Sequence, residues 1–171
     1  MTIKDLLADK SIKPKEKTET LSQLISSKEI SLGSLVTYTT LAKDAEKATC
    51  IEALEFATKS NPKIIDKNTF DFVVSALGEK APRVKWESAK VIGNTAHLFS
   101  SKLDEAIPAL IKNTEHTGTV VRWAAAFALG EIVKLNTKEN KQLVPAIDAI
   151  ILREEKNSIK KIYQEALKKI A

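Results

Sequence analysis

Apolar residues return every three or four positions along most of this chain, and the rhythm is clearest at Val121–Val133. At about 100° per residue from Val121, the residues Ala125, Ala128, Leu129 and Ile132 share one arc, the core-facing side of an amphipathic helix. The same pattern stands earlier in the chain, where Val84, Lys85, Trp86 and Gly93 align with Val121, Arg122, Trp123 and Gly130 at a constant offset of 37 residues (121 − 84). A helical pattern repeated at that period is the signature of a solenoid of stacked helix pairs.

Taken in order, the chain predicts a short helix over Thr2–Asp9 and a second one opened by Pro14, with Leu21, Leu24 and Ile25 on its apolar face. Ser31–Ala42 contains the strand-like run Thr37–Thr40, but Leu32, Leu35, Val36 and Leu41 keep a helical rhythm, so a helix is expected. Asp44 is placed to cap a helix burying Cys50, Ala53, Leu54 and Ala57. Phe70, Val73, Val74 and Leu77 form the next stripe, with Gly78 at a left-handed C-cap and Pro82 opening the helix of Trp86. Ser101, with Asp104 three residues on, reads as a capping box. Pro108 and Pro145 lie 37 residues apart within predicted helices, and a regular bend is expected there. The series ends with Ile159–Ile170. The expected organisation is one domain over residues 1–171, with repeats near 31–60, 67–98, 102–135 and 139–171 and a degenerate cap over 1–30.

The run Val121-Arg122-x-Ala-Ala-x-x-Ala-Leu-Gly-x-Ile132, together with Pro108 and Pro145, resembles HEAT repeats of the short bacterial kind. The resemblance is strongest over Pro82–Asn157 and weak before Ser31. It implies an all-α fold, a right-handed superhelix of antiparallel helix pairs whose second helices line the concave side, and a scaffold or binding role. In that family an acid in the turn precedes the Val-Arg pair. Here Glu79, His116 and Glu154 hold those places, which breaks the pattern at the middle repeat.

Composition narrows the reading further. Charged residues are 29% and aromatics 5%, with a net charge of +5, which permits an acidic partner without requiring one. With one cysteine, Cys50, there is no internal disulfide and no cysteine-based zinc cluster. The N-terminus lacks a signal-peptide core, and no run approaches the roughly 20 apolar residues of a membrane span. A cytoplasmic, soluble protein is the expectation. His97 and His116 have no third ligand nearby in sequence, and no phosphate loop, nucleophile elbow or cofactor motif is present, so no metal, no cofactor and no enzymatic activity are expected.

Two sets of residues are candidates for function. Lys47, Lys85, Arg122 and Lys160 recur at 37 or 38 residues, either as contacts to phosphate or carboxylate, or as a structural ladder bonding the turns of adjacent repeats. Trp86, Lys90, His97, Trp123, Phe127, Lys134 and Lys161 share a stripe away from the apolar arc. They form either a binding surface or the packing between neighbouring second helices. Gly93 and Gly130 fall near 180° on their wheels, on the side opposite the core. The function expected is binding of a protein or peptide on the concave face. The alternative is nucleic-acid binding, and a further one is an activity like that of the DNA alkylation-repair glycosylases. Those enzymes place an aspartate near such tryptophans, whereas Glu87 and Ala124 follow them here.

Overall fold

The computed structural model describes all residues, Met1–Ala171, and its regular structure is entirely helical. Ten α-helices form five pairs: α1 (Ile3–Ala8) with α2 (Pro14–Ser26), α3 (Leu32–Leu41) with α4 (Asp44–Ser60), α5 (Lys67–Ala76) with α6 (Pro82–Thr95), α7 (Leu103–Asn113) with α8 (Thr119–Lys134), and α9 (Asn140–Arg153) with α10 (Asn157–Lys168). Local chemistry explains most boundaries. Thr2 and Asp5 form a reciprocal capping box, Ser31 and Asp66 cap α3 and α5, and Pro14 and Pro82 occupy first turns where their missing N–H costs nothing. The Thr37–Thr40 run is helical, and the Thr39 and Thr40 hydroxyls donate to the carbonyls of Leu35 and Val36.

Three expected caps are placed differently. Asp44 is already the first residue of α4, where it complements the helix dipole, and Lys43 holds the cap position. Ser101 lies inside a 3-10 turn, Ser100–Lys102, so α7 starts at Leu103 with no side-chain cap. Gly78 has no positive φ; the left-handed residues are Lys28 and Asn136. Pro108 and Pro145 are each the sixth residue of an unbroken helix and are exposed to solvent.

The second helices α2, α4, α6, α8 and α10 lie side by side in chain order, each packed along the next, and the first helices cover one side of this row. Val121, Ala125, Leu129 and Ile132 of α8 are buried, as the arc predicts. Ala124, Ala126, Gly130 and Val133, on the two flanks, are buried as well, because a neighbouring second helix presses on each flank. The expected position of Gly130 on an open side is therefore corrected. Its α-carbon faces Ala166 and Ile162 of α10, and Gly93 faces Phe127 of α8.

The basic series runs along the turns at the N-terminal ends of the second helices. Lys47 binds Glu79 at 2.6 Å, in the turn of the following pair. Arg122 binds both carboxylate oxygens of Glu154 and donates to the carbonyls of His116 and Thr117 in its own turn. At the middle repeat, where the acid is missing, Lys85 donates instead to the Leu77 carbonyl and to Asn113. Burial and the nearby Lys112 lower the Lys85 pKa, since a neutral amide compensates the charge poorly. Lys160 forms no ion pair.

Burial alone would raise the Glu154 carboxyl, but the Lys156 N–H and the Arg122 guanidinium outweigh it and hold its pKa below the ordinary range. With the folded pKa depressed, this stabilisation is present above the ordinary carboxylate pKa and fades as pH falls through the folded value. Glu154 is nearly inaccessible, so Arg122→Ala leaves a buried charge unpaired and should cost ~3–5 kcal/mol. Lys160→Ala should change stability by less than ~0.5 kcal/mol. Urea denaturation of both variants at neutral pH measures the difference.

Candidate functional site

The inner second helices α4, α6 and α8 have one side on the core and both flanks on their neighbours, which leaves a single accessible strip, while α10, at the end of the row, has a second helix on one flank only. On α8 that strip is Val120, Trp123, Phe127, Glu131 and Lys134. On α6 it is Arg83, Trp86, Lys90 and Asn94, continued by His97 in the 3-10 turn Ala96–Leu98 that follows, in register with α8 at 37 residues. On α10 it carries Ser158, Lys161, Glu165 and Lys169. The structure thus brings all seven stripe residues proposed from sequence onto one surface, but their environments differ.

Trp123 is 40% exposed and stacks on Phe127, with ring centroids 6.0 Å apart and planes 7° from parallel. Phe127 is half-buried over Gly93, where a β-carbon would come within 2.3 Å of the ring. This ring pair is a surface stack supported by the absence of a side chain at Gly93. Trp86, at the same repeat position, instead packs against the core, and its indole N–H donates to Glu87 Oε1 at 2.9 Å. Of the two expectations for the stripe, Phe127 and Trp86 take part in packing while Trp123 faces solvent. Lys134 pairs with Glu131, whereas Lys161 and His97 are exposed without ion pairs.

Lys90 is less free than its place on the stripe suggested. Its ammonium sits 3.7 Å from both Glu55 and Glu87, two carboxylates that are each only 4% exposed. Asn94 donates to the Glu55 carbonyl and side chain, and Arg83 pairs with Glu52 at the same seam between α4 and α6. The Oε2 atom of Glu87 has no hydrogen-bond partner. Burial raises the Glu87 pKa, Lys90 lowers it in part, and Glu52 and Glu55 push it further up. Glu55, Glu52, Arg83 and Asn94 were not singled out from sequence. The available signal was a glutamate, Glu55, directly beside Leu54 on an otherwise apolar helix face. No group of three His, Cys, Asp or Glu side chains is placed to hold a metal ion, and no helix is long and apolar enough to cross a membrane.

Two predictions follow from these contacts. Gly93→Ala must displace the Phe127 ring and with it the Trp123 stack, and should destabilise by ~1–3 kcal/mol. At the equivalent Gly130 a β-carbon meets Ala166 and Ile162 at 3.5 and 3.6 Å, ordinary contact, so Gly130→Ala should be neutral or stabilising by up to ~1 kcal/mol. Thermal melts of the pair read the contrast directly. For Glu87, a raised folded pKa means that ionisation costs stability as pH climbs above the ordinary carboxylate value. Glu87→Gln keeps an oxygen for the indole, and should raise the melting temperature at pH 7. At a pH where wild-type Glu87 is protonated in both states, that gain should vanish.

No protein-family model matches the chain, and no curated protein matches it by sequence. Among solved structures, a designed armadillo repeat protein in complex with peptide (KR)4 superimposes with a TM-score of 0.76 at 18% identity, over 99% of this chain and 80% of that one. A computationally designed armadillo repeat protein for modular peptide recognition gives 0.75 at 16% identity, over 98% and 80%. A chain of the CpcE–CpcF complex of phycocyanin lyase from Nostoc sp. PCC7120 gives 0.72 at 19% identity, over 96% and 97%. At these identities the likeness concerns architecture. The stacked helix pairs, the row of second helices and these neighbours together make the fold that of a HEAT-like, armadillo-type α-solenoid.

Proposed function

We propose that this protein is a non-enzymatic interaction module that binds a protein partner, as an extended or helical segment, along the accessible strip of its second helices. The observation that carries this reading is the Trp123–Phe127 stack. Trp123 is one of six large apolar side chains that remain exposed, and it sits on a rigid helix with its ring oriented by Phe127. A preoriented, half-exposed tryptophan loses little entropy on binding, which is why tryptophan is enriched among residues that dominate interface energies. Two of the structural neighbours support the binding part of this reading, one being in complex with peptide (KR)4 and another belonging to the complex of CpcE and CpcF.

The geometry favours this reading over nucleic-acid binding. Three of the four members of the regular cationic series, Lys47, Lys85 and Arg122, are turned into acids, amides and carbonyls of the chain's own turns, leaving them poorly placed for phosphates. A glycosylase-like role is weakened too, since Glu87, the carboxylate beside a tryptophan, lies buried against that indole.

The test uses immobilised full-length chain in native lysate, comparing wild type with Trp123→Ala. Trp123→Ala should reduce retention of a protein partner tenfold or more, roughly 1.4 kcal/mol, while costing under ~1 kcal/mol of folding stability. Trp86→Ala should cost ~3 kcal/mol of stability, because that ring packs against the core. Retained material that nuclease removes, or that Trp123→Ala leaves unchanged, would overturn the reading.

A further inference from the structure

The accessible strip widens between α8 and α10 into a groove of about 360 Å³. Its floor is apolar and shallow: Phe127, Ile162 and Ala166 line it, and Gly130 contributes no side chain. The Trp123 ring, stacked on Phe127, extends the apolar surface on the α8 side. The rim is charged. Glu131 is paired with Lys134 at 2.6 Å, and Glu165 lies 3.9 Å from Lys168. Each acid of the groove therefore already has a lysine, while Lys161 and Lys169, which also line it, have no acidic partner. Lys160, on the same helix, lacks one as well, and Glu165 is the only acid on α10.

From this we infer that the α8–α10 groove is a docking site for an acidic linear segment of a partner protein, anchored by an aromatic or large aliphatic side chain. The anchor lies on the floor above Gly130, in contact with Phe127 and Trp123. Carboxylates flanking it in the partner sequence reach Lys161 and Lys169. The apolar floor supplies the affinity, since burying such a side chain is where an interface gains most. The two unpaired lysines set the sign of the partner, because exposed charges steer association and reject like-charged segments more than they add affinity. The designed neighbour bound to peptide (KR)4 carries the opposite ligand chemistry, and a peptide of that kind should be repelled by this rim. The inference rests on the proposed binding role of the strip and adds to it the site and the chemistry of the segment.

The test is selection of a random-sequence peptide display library on the immobilised full-length chain, followed by fluorescence anisotropy with the enriched peptides, with peptide (KR)4 and with oligo-dT as probes. Enriched peptides should be acidic and carry an aromatic or large aliphatic residue. Their affinity should fall roughly tenfold or more in the K161E/K169E double variant, weaken with added salt, and be retained in K161R/K169R. Both lysines are exposed, so matched melting curves show that the reversal acts on binding and not on folding. Enriched peptides that are basic or uncharged but still depend on Trp123 would overturn this inference and leave the broader binding role standing. Oligo-dT binding lost in K161E/K169E, without peptide enrichment, would overturn both. Acidic peptides unaffected by K161E/K169E would place their site elsewhere and also overturn it.

Discussion

The close approach of neighbouring second helices is the constraint on which the rest of this structure depends. Small residues open room at successive seams: Gly93 of α6 admits the Phe127 ring of α8, and Gly130 of α8 lies against Ala166 and Ile162 of α10. A bulky flank would separate the row, and the first helices would then lose the continuous surface they cover. Because flanks and core side of the inner second helices are all consumed by packing, only one strip on each of them is left for contact with anything else. The candidate surface is thus a consequence of the packing, not an addition to it.

The turn ladder secures the same row at one edge. Arg122 with Glu154, and Lys47 with Glu79, join each second helix to the turn of the next pair, across a sequence separation of 32 residues in both cases. Where the acid is missing, Lys85 settles for a carbonyl and an amide, and its lowered pKa records the weaker compensation. A second strained point lies one helix face away, where Glu55 and Glu87 share Lys90 and one carboxylate oxygen has no partner. Both features fall in the middle of the solenoid, whereas the exposed ring stack and the unpaired lysines lie toward its C-terminal end. The chain thus presents chemically different ground along one continuous strip.

That gradient matters for function. A repeat fold supplies a regular surface, but recognition depends on the side chains that interrupt the regularity. At equivalent positions stand Lys90 and Phe127, or Glu87 and Ala124. The first substitution turns an ion-paired lysine into the support of a solvent-facing tryptophan, and the second removes the carboxylate that holds the other indole.

The sequence by itself determined the repeat length, the helix positions and the apolar arc, since a period near 3.6 residues is a property of one helix in isolation. Even the ladder residues and the missing acid at His116 could be read there, because they recur at fixed offsets. The caps expected at Asp44 and Ser101 fall one residue from the observed cap positions, Lys43 and Lys102, and Gly78 follows its helix without the left-handed turn, as helix ends respond to neighbouring turns as much as to the capping residue itself. The flanks were not legible at all: a helical wheel records where a residue points but not what approaches from that direction. Gly130, placed on the open side by its angle, lies against α10, and Trp86 and Trp123, identical in repeat position, differ in exposure. Only the tertiary structure decided these, because burial on a flank depends on the side chain that the adjacent helix brings to it.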